Sequence, residues 1–258
     1  MFYKKILMAM TLCIACQSAL SSMTISGTRI IFPGNEKEVS IRTNNKGSTP
    51  PLVQVWVDDG STNADMNTMK IPFLVTPPVY RVEPGKGQMV RLIYNGMPLP
   101  QDKESIYWFN MLEIPPVDKS QINTPNKLEL AFRTRIKIFY RPQTLKSSGA
   151  MQMDKLQWTL IDDAKKGRGV KVINPTPYYI SFDGGSFKSG GKEYALDLDM
   201  LAPGTSYEIY TSKGLAAGTA VQKINFRVLN DFGAMREGYL VEQVGKGWVI
   251  AEEKNSNP

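Results

Sequence analysis

Short segments of alternating apolar and polar residues, separated by Pro, Gly and Asn, fill the sequence from residue 23 to residue 140. In 52–58, for example, three valines alternate with Gln54 and Trp56. A β-strand turns successive side chains to opposite faces, so this alternation predicts strands with one buried face. Segments of this kind with regular turn signals, and with no sustained helical period, are typical of a β-sandwich. The sequence therefore predicts an all-β fold.

Strands are predicted in two series, separated by a polar stretch that follows Pro142. The first series is Met23–Phe32, Glu38–Asn44, Leu52–Asp58, Phe73–Thr76, Val79–Glu83, Gly87–Tyr94, Ser105–Ile114 and Lys127–Tyr140. The second series is Leu156–Ile161, Gly169–Ile173, Tyr178–Phe182, Tyr207–Tyr210, Ala220–Leu229 and Gly238–Val244, with Gly184-Gly185 and Gly190-Gly191 as hairpin turns and a tail that is frayed at its end. Because Pro cannot continue a central strand, we expect two domains, 23–143 and 144–258.

Residues 1–22 are expected to be a secretory signal peptide. Lys4 and Lys5 precede an apolar run that ends near Cys16, which is too short to span a membrane, and small and polar residues follow. Cleavage is expected between Ala19 and Met23. The alternative, lipidation at Cys16, is disfavoured because a Cys stands where a lipoprotein signal normally carries Leu. Export is the expectation in either case, and no later segment is apolar enough for membrane insertion.

Composition excludes several kinds of catalytic and metal site. The chain has no His, and its two Cys residues, Cys13 and Cys16, lie within the expected signal peptide. Catalytic triads, Cys-His nucleophiles and His- or Cys-ligated metals are therefore excluded from the mature chain. The net charge of +7 favours acidic partners in general and does not by itself indicate nucleic acid.

Three carboxylate pairs are the remaining candidates for acid–base chemistry: Asp58-Asp59, Asp162-Asp163 and Glu252-Glu253. Adjacent residues on a strand face opposite ways, and all three pairs fall at strand ends or in turns. We therefore expect solvated surface charges rather than a catalytic pair. The sequence predicts no enzyme activity, no metal and no cofactor.

The last strand of the first series, KLELAFRTRIKIFYRP (127–142), has an apolar stripe and a basic stripe on opposite faces. The apolar series starts at Leu128, Leu130 and Phe132, and the basic series is Arg133, Arg135 and Lys137. The simplest interpretation places the first stripe in the core and the second in water. However, residues 127–140 would extend for about 45 Å, more than a typical strand needs. An overhang would expose apolar residues unless another chain covered them.

Five motifs give the chain its resemblance to a known family. They are GTRIIFPGNEKEVSI (27–41), TPPVYRVEPG (76–85), DKESIYWFNMLEIPP (102–116), TRIKIFYRP (134–142) and NPTPYYI (174–180). Together they resemble the periplasmic pilus-assembly chaperones of the chaperone–usher pathway. The resemblance implies two immunoglobulin-like β-sandwich domains in a boomerang arrangement with an interdomain cleft.

The resemblance also implies how a pilus subunit is bound. Arg29 and Lys137 match the two cations that anchor the C-terminal carboxylate of the subunit in the cleft, and charge-assisted bonds suit that role. Leu128, Leu130 and Phe132 match the alternating apolar residues that fill the groove of the incomplete subunit by strand addition. No nucleotide or covalent chemistry is implied.

Two further sets of residues match family positions. Glu104, Arg141 and Asp231 match an interdomain ionic cluster that sets the domain angle. The surface that meets the outer-membrane usher has matching candidates, for each of which ordinary packing is a nearly equal alternative: Leu52, Gln54, Pro77, Pro78 and Ile114.

The expected function is that of a periplasmic chaperone with two partners, pilus subunits and the usher. The length of the loop 117–127 and the absence of Cys from the mature chain favour the short-loop branch of the family. In the free protein, the exposed apolar stripe would favour self-association. The alternatives are a fimbrial subunit or adhesin, which would normally be a single incomplete domain, and a glycan hydrolase acting through carboxylates.

Overall fold

The computed structural model describes residues 22–61, 70–116 and 130–251. Within these residues lie seventeen strands and one 3-10 helix, Gly149–Lys155. The strands of the first half are β1 Met23–Ile25, β2 Arg29–Pro33, β3 Glu38–Asn45, β4 Leu52–Asp58, β5 Phe73–Thr76, β6 Val79–Arg81, β7 Gly87–Tyr94, β8 Ser105–Ile114 and β9 Phe132–Arg141. Those of the second half are β10 Gln157–Asp163, β11 Gly167–Ile173, β12 Phe182–Ser189, β13 Lys192–Leu196, β14 Ser206–Tyr210, β15 Lys223–Leu229, β16 Met235–Gln243 and β17 Gly247–Ile250.

The first half is a sandwich of two sheets, ordered β1-β3-β7-β5 and β2-β9-β8-β4-β6. Alternation sets the core, because Val53 and Val55 are buried while Gln54 between them is exposed. Phe32 and Phe109 lie in the same core and are fully buried. Alternate residues of the five-stranded sheet face away from this core, and this side is called the outer face below.

The predicted single strand Met23–Phe32 is wrong, because the chain changes sheets within it. β1 pairs with β3 in one sheet, whereas β2 pairs in parallel with β9 in the other. Gly27 lies at the crossover with φ of 101°, a conformation that residues with a Cβ rarely adopt. The crossover sets Arg29, the first residue of β2, directly beside β9.

The second half is also a sandwich, with sheets β10-β11-β14 and β13-β12-β15-β16-β17 around a separate core that includes Trp158, Phe187 and Phe226. Gly190 and Gly191, both with positive φ, form the predicted turn of the hairpin between β12 and β13. The other predicted turn is wrong, since Gly184 and Gly185 lie inside β12, where the register with β15 shifts. The expected fraying concerns the end of the tail, residues 252–258, which lies outside the described residues; the start of the tail forms β17, which pairs with β16.

Strand β9 has a different neighbour along each part of its length. It pairs with β8 from Phe132 to Tyr140, but with β2 only from Lys137 to Arg141. Along 132–136 the edge opposite β8 therefore has no strand beside it among the described residues. The predicted strand start at Lys127 is wrong for Leu130 and Ala131, which precede β9 and belong to no strand, and residues 127–129 lie outside the described part.

The all-β, two-sandwich prediction is confirmed. Within the described ranges, no helix has the length and apolar character needed to cross a membrane.

Candidate partner-binding edge and interdomain cleft

Arg29 and Lys137 are direct neighbours in the parallel pairing of β2 with β9. Both are half-buried on the outer face. Arg29 Nη1 donates a hydrogen bond to the carbonyl oxygen of Leu229 in the second half of the chain at 3.3 Å. Its Nε is buried and has no hydrogen-bond partner in the described structure. Two cations therefore stand side by side at the point where the open edge of β9 ends.

The electrostatics of this pair leave both side chains available to an external anion. Burial lowers the pKa of Lys137, as does the charge of Arg29, while the carboxylate of Asp199 opposes the shift. Burial likewise lowers the pKa of Arg29, against the opposing effect of Asp231. Neither cation forms an ion pair with a carboxylate in 22–61, 70–116 or 130–251. An anion that replaced the lost hydration would therefore gain charge-assisted bonds from both.

The apolar residues just before β9 and at its start are exposed. Leu130 and Phe132 retain 54% and 47% of their accessible surface. Phe132 has the strand parity of Ile136 and Ile138, which lie in the core of the first sandwich. The third predicted donor residue, Leu128, lies outside the described residues, as do the loop 117–127 and most of the signal segment. An open edge with exposed apolar residues is able to accept another strand.

Glu104, Arg141 and Asp231 form one ionic cluster. Arg141 donates from Nε to Glu104 Oε1 at 2.7 Å, and from Nη1 and Nη2 to the two carboxylate oxygens of Asp231 at 2.7 and 2.9 Å. Glu104 Oε2 accepts a further bond from the backbone N–H of Tyr179 at 2.8 Å. Residues from both sandwiches therefore meet at one guanidinium group.

Burial affects the two charges of this cluster differently. Burial raises the pKa of Glu104, and Arg141 only partly offsets that effect. Burial also acts to lower the pKa of Arg141, but the bonds to Asp231 and the charge of Glu104 outweigh it, so the net shift is upward. Arg141 thus stays charged, and it is the group that keeps a buried carboxylate at this position.

The usher-facing candidates lie together at one end of the outer face. Leu52 pairs with Ile114, and Gln54 pairs with Val79, which follows Pro77-Pro78. Ile114 is 36% and Val79 49% exposed. Val79, which follows the two prolines in the TPPVYRVEPG motif, lies beside these candidates and was not among them.

The expectation that Asp58 is a solvated charge is wrong. Asp58 is buried because Arg133 and Arg135 reach it from β9 and Asn110 donates to it from β8. The two arginines are exposed, as expected, with 49% and 36% of their side-chain surface accessible, but both also bond to Asp58. Asp59, the other member of the pair, is exposed, and Glu252-Glu253 lies outside the described residues.

Comparisons with known proteins cover most of the chain. Residues 22–146 match the family described as "Pili and flagellar-assembly chaperone, PapD N-terminal domain", and residues 151–240 match "Pili assembly chaperone PapD, C-terminal domain". The probable fimbrial chaperone YadV of Escherichia coli K12 is 42% identical over 86% of this chain and 90% of its own length. The chaperone protein FimB/FhaD of Bordetella pertussis is 35% identical over 84% and 87%.

Solved structures agree with these matches. The crystal structure of the YadV chaperone superimposes with a TM-score of 0.72 at 39% identity, covering 85% of this chain and 98% of the other. The CupB2 chaperone of Pseudomonas aeruginosa gives a TM-score of 0.69 at 36% identity, covering 84% and 98%. The chain therefore belongs to the PapD family of pilus-assembly chaperones.

Proposed function

We propose that this protein works in the periplasm, where it caps pilus subunits by lending them β9 and delivers them to the outer-membrane usher. One observation carries the proposal: the open edge of β9 ends where Arg29 and Lys137 stand side by side without a carboxylate partner in the described structure. An extended partner segment that ends in a carboxylate fits both features at once. The fimbrial chaperones among its relatives support pilus subunits as the partner class.

The direction of the added strand follows from the anchor. β2 occupies the outer edge of β9 from Lys137 onward, and it runs parallel to β9. A partner strand on residues 132–136 with its terminal carboxylate at Arg29 would lie in line with β2 and therefore also run parallel to β9. Backbone hydrogen bonds would supply affinity, and alternate side chains would fix the register.

The apolar residues before and within this edge serve the fold of the subunit. Leu128, Leu130 and Phe132 would enter the groove that an incomplete sandwich leaves open. Covering that groove removes an exposed apolar patch that would otherwise favour aggregation. We infer that the same stripe allows self-association of the free chaperone.

The remaining site residues act on domain geometry and on delivery. Glu104, Arg141 and Asp231 fix the angle between the first domain, 23–143, and the second, 144–258; the two separate cores on either side of the boundary support these limits. The usher would meet the end of the outer face that carries Leu52, Gln54, Pro77, Pro78 and Ile114.

No step of the proposed function requires a catalytic residue, nucleotide or metal, so we infer a binding protein rather than an enzyme. Two complete sandwiches argue against a pilus subunit.

Co-expression with a candidate subunit in the periplasm tests the proposal. We expect a soluble one-to-one complex that is lost with Arg29→Ala or Lys137→Ala, while the chaperone itself stays folded. Lys188→Ala is the matched control, because Lys188 is exposed on β12, in the other half of the chain. Full protection of the subunit by both anchor variants would refute the anchor.

A further inference from the structure

The open-edge segment of β9, residues 132–136, gains little order from core packing. Phe132 is exposed, Thr134 is half-buried, and Ile136 is the first residue on that face to be buried. No strand lies beside the segment on the side opposite β8 in the described structure. The pairing of this segment with β8 is one source of order. Because fixing a backbone residue costs about 1–2 kcal/mol of entropy, further contacts help to keep an edge extended when its apolar side chains are left for a partner.

Those contacts lie on the outer face. Arg133 donates from Nη2 to Asp58 Oδ2 at 3.2 Å, and from Nε and Nη2 to Asn110 Oδ1 at 3.0 and 2.7 Å. Arg135 Nη2 donates to Asp58 Oδ1. Asn110 Nδ2 donates to Asp58 Oδ2 at 2.8 Å. These four residues, called the Asp58 clamp below, join β9 across β8 to β4.

Two tryptophans support the clamp. The guanidinium carbon of Arg133 lies 5.1 Å from the ring centre of Trp56, and that of Arg135 lies 4.7 Å from that of Trp108. Both distances suit cation–π attraction. The backbone N–H of Gly60 donates to Asp58 Oδ1 at 2.9 Å, so the carboxylate also fixes the turn after β4. Charge, hydrogen bonds and ring contacts therefore converge on the two arginines of the open-edge segment.

We propose that Asp58 is a positioning residue that, through Arg133 and Arg135, holds residues 132–136 of β9 extended before a partner strand arrives. The inference rests on the proposed function, because it assigns the clamp to preparing the edge that a subunit would use. Pre-ordering that edge lowers the entropic cost of binding, so it should act mainly on association. A clamp that only contributes to overall stability would loosen the whole first domain evenly when removed.

The test uses the full-length mature protein with the clamp neutralised: Asp58→Asn with Arg133→Gln and Arg135→Gln. Changing all three together avoids leaving a buried charge unpaired. If this variant does not fold, Arg133→Lys with Arg135→Lys keeps the charge balance and removes the planar fork and ring stacking. Glu38→Gln with Arg91→Gln is the control, since it removes an ion pair from the opposite sheet of the same domain.

The first measurement is amide hydrogen exchange of the free protein. We expect exchange in 132–136 to rise by at least about tenfold, the size expected from losing one charge-assisted hydrogen bond. Residues 137–141, which β2 flanks, should change little, and the control should not change 132–136. Unaltered exchange in 132–136, or an equal rise throughout the first domain, would overturn the proposal.

The second measurement is the association rate with a pilus subunit, which should fall by a similar factor. The two measurements together distinguish failure of the proposed function from failure of the clamp proposal. If the unaltered protein does not bind any subunit, the proposed function fails while the exchange result still decides whether the clamp orders β9. If the unaltered protein binds and the clamp variants associate equally fast, the positioning role is refuted.

Discussion

Replacing Arg141 by Met removes the one cation that the two carboxylates of the interdomain cluster share. The side chain of Glu104 is 2% exposed, and in the variant its carboxylate keeps only the backbone hydrogen bond from Tyr179. Asp231 is 29% exposed and regains water more easily. Breaking a buried pair by removing one partner costs about 3–5 kcal/mol. Because only Glu104 is deeply buried, we expect Arg141→Met to cost about 3 kcal/mol, the lower end of that range.

A second variant separates the orphaned charge from lost packing. Adding Glu104→Gln to Arg141→Met leaves no buried charge, so the double variant should be more stable than Arg141→Met alone by at least about 1 kcal/mol.

Acidification should also reduce the cost of Arg141→Met. Burial raises the pKa of Glu104, so the native state binds that proton more tightly than the unfolded chain, and the loss of Arg141 increases this difference. The cost of Arg141→Met should therefore shrink as the solution is acidified from neutral pH.

Equilibrium unfolding in urea, fitted separately for each domain, measures these differences. Arg91→Met, which breaks the exposed pair with Glu38, is the control and should have little effect. The reasoning is refuted if Arg141→Met costs no more than the control. It is equally refuted if the double variant is the less stable of the two.

Three other predictions concern the clamp and the anchor. Gly60→Ala should lower the thermal stability and change Trp108 fluorescence, because φ is 91° and a Cβ would lie 2.5 Å from the Trp108 ring; an unchanged melting curve would contradict this. Asp199→Asn should strengthen capture of a subunit-derived peptide with a free C-terminus at neutral pH but not of its amidated form, because the charge of Asp199 acts on Lys137 and would repel an incoming carboxylate there. An equal effect of Asp197→Asn would contradict a specific role. Burial lowers the pKa of Lys137, so capture of the peptide should weaken as the pH rises, before the ordinary lysine pKa of 10.5 is reached. The stability of the free protein should rise through the same pH window, because the unfolded chain binds that proton more tightly. Titrations of capture and of stability against pH measure both effects, and capture that stays constant up to pH 10.5 would refute the assignment.

Most of the fold is predictable from local patterns. Alternation with a period of two predicted that Val53 and Val55 of β4 face the core, because it reports which side of a strand is buried. The change of sheet between β1 and β2 was missed, since both segments alternate in the same way and the break depends on which strands they pair with. The hairpin of β12 and β13 was only partly found for the same reason.

The site residues also differ in whether local sequence could predict their role. Arg29 and Lys137 were predicted from family motifs, and their adjacency comes from the parallel register of β2 with β9. Asp58 was interpreted as a surface charge, because its partners lie 75 and 77 residues further along the chain. Phe139 has the parity of the basic stripe, yet it is buried, since the ring of Tyr179 in the second half of the chain lies 5.8 Å from it.

The sequence alone determined an all-β chain in two parts, the two faces of its strands and the motifs that mark the family. Each of these depends on neighbouring residues or on short runs, so it can be read without knowing which strands meet. The tertiary structure decided where β2 stops covering β9, which places the open edge directly beside two cations that have no carboxylate partner in the described part of the chain. It also decided that Asp58, Asn110 and two arginines from three strands form one cluster, because contacts between distant segments depend on strand order and register, which local patterns do not specify.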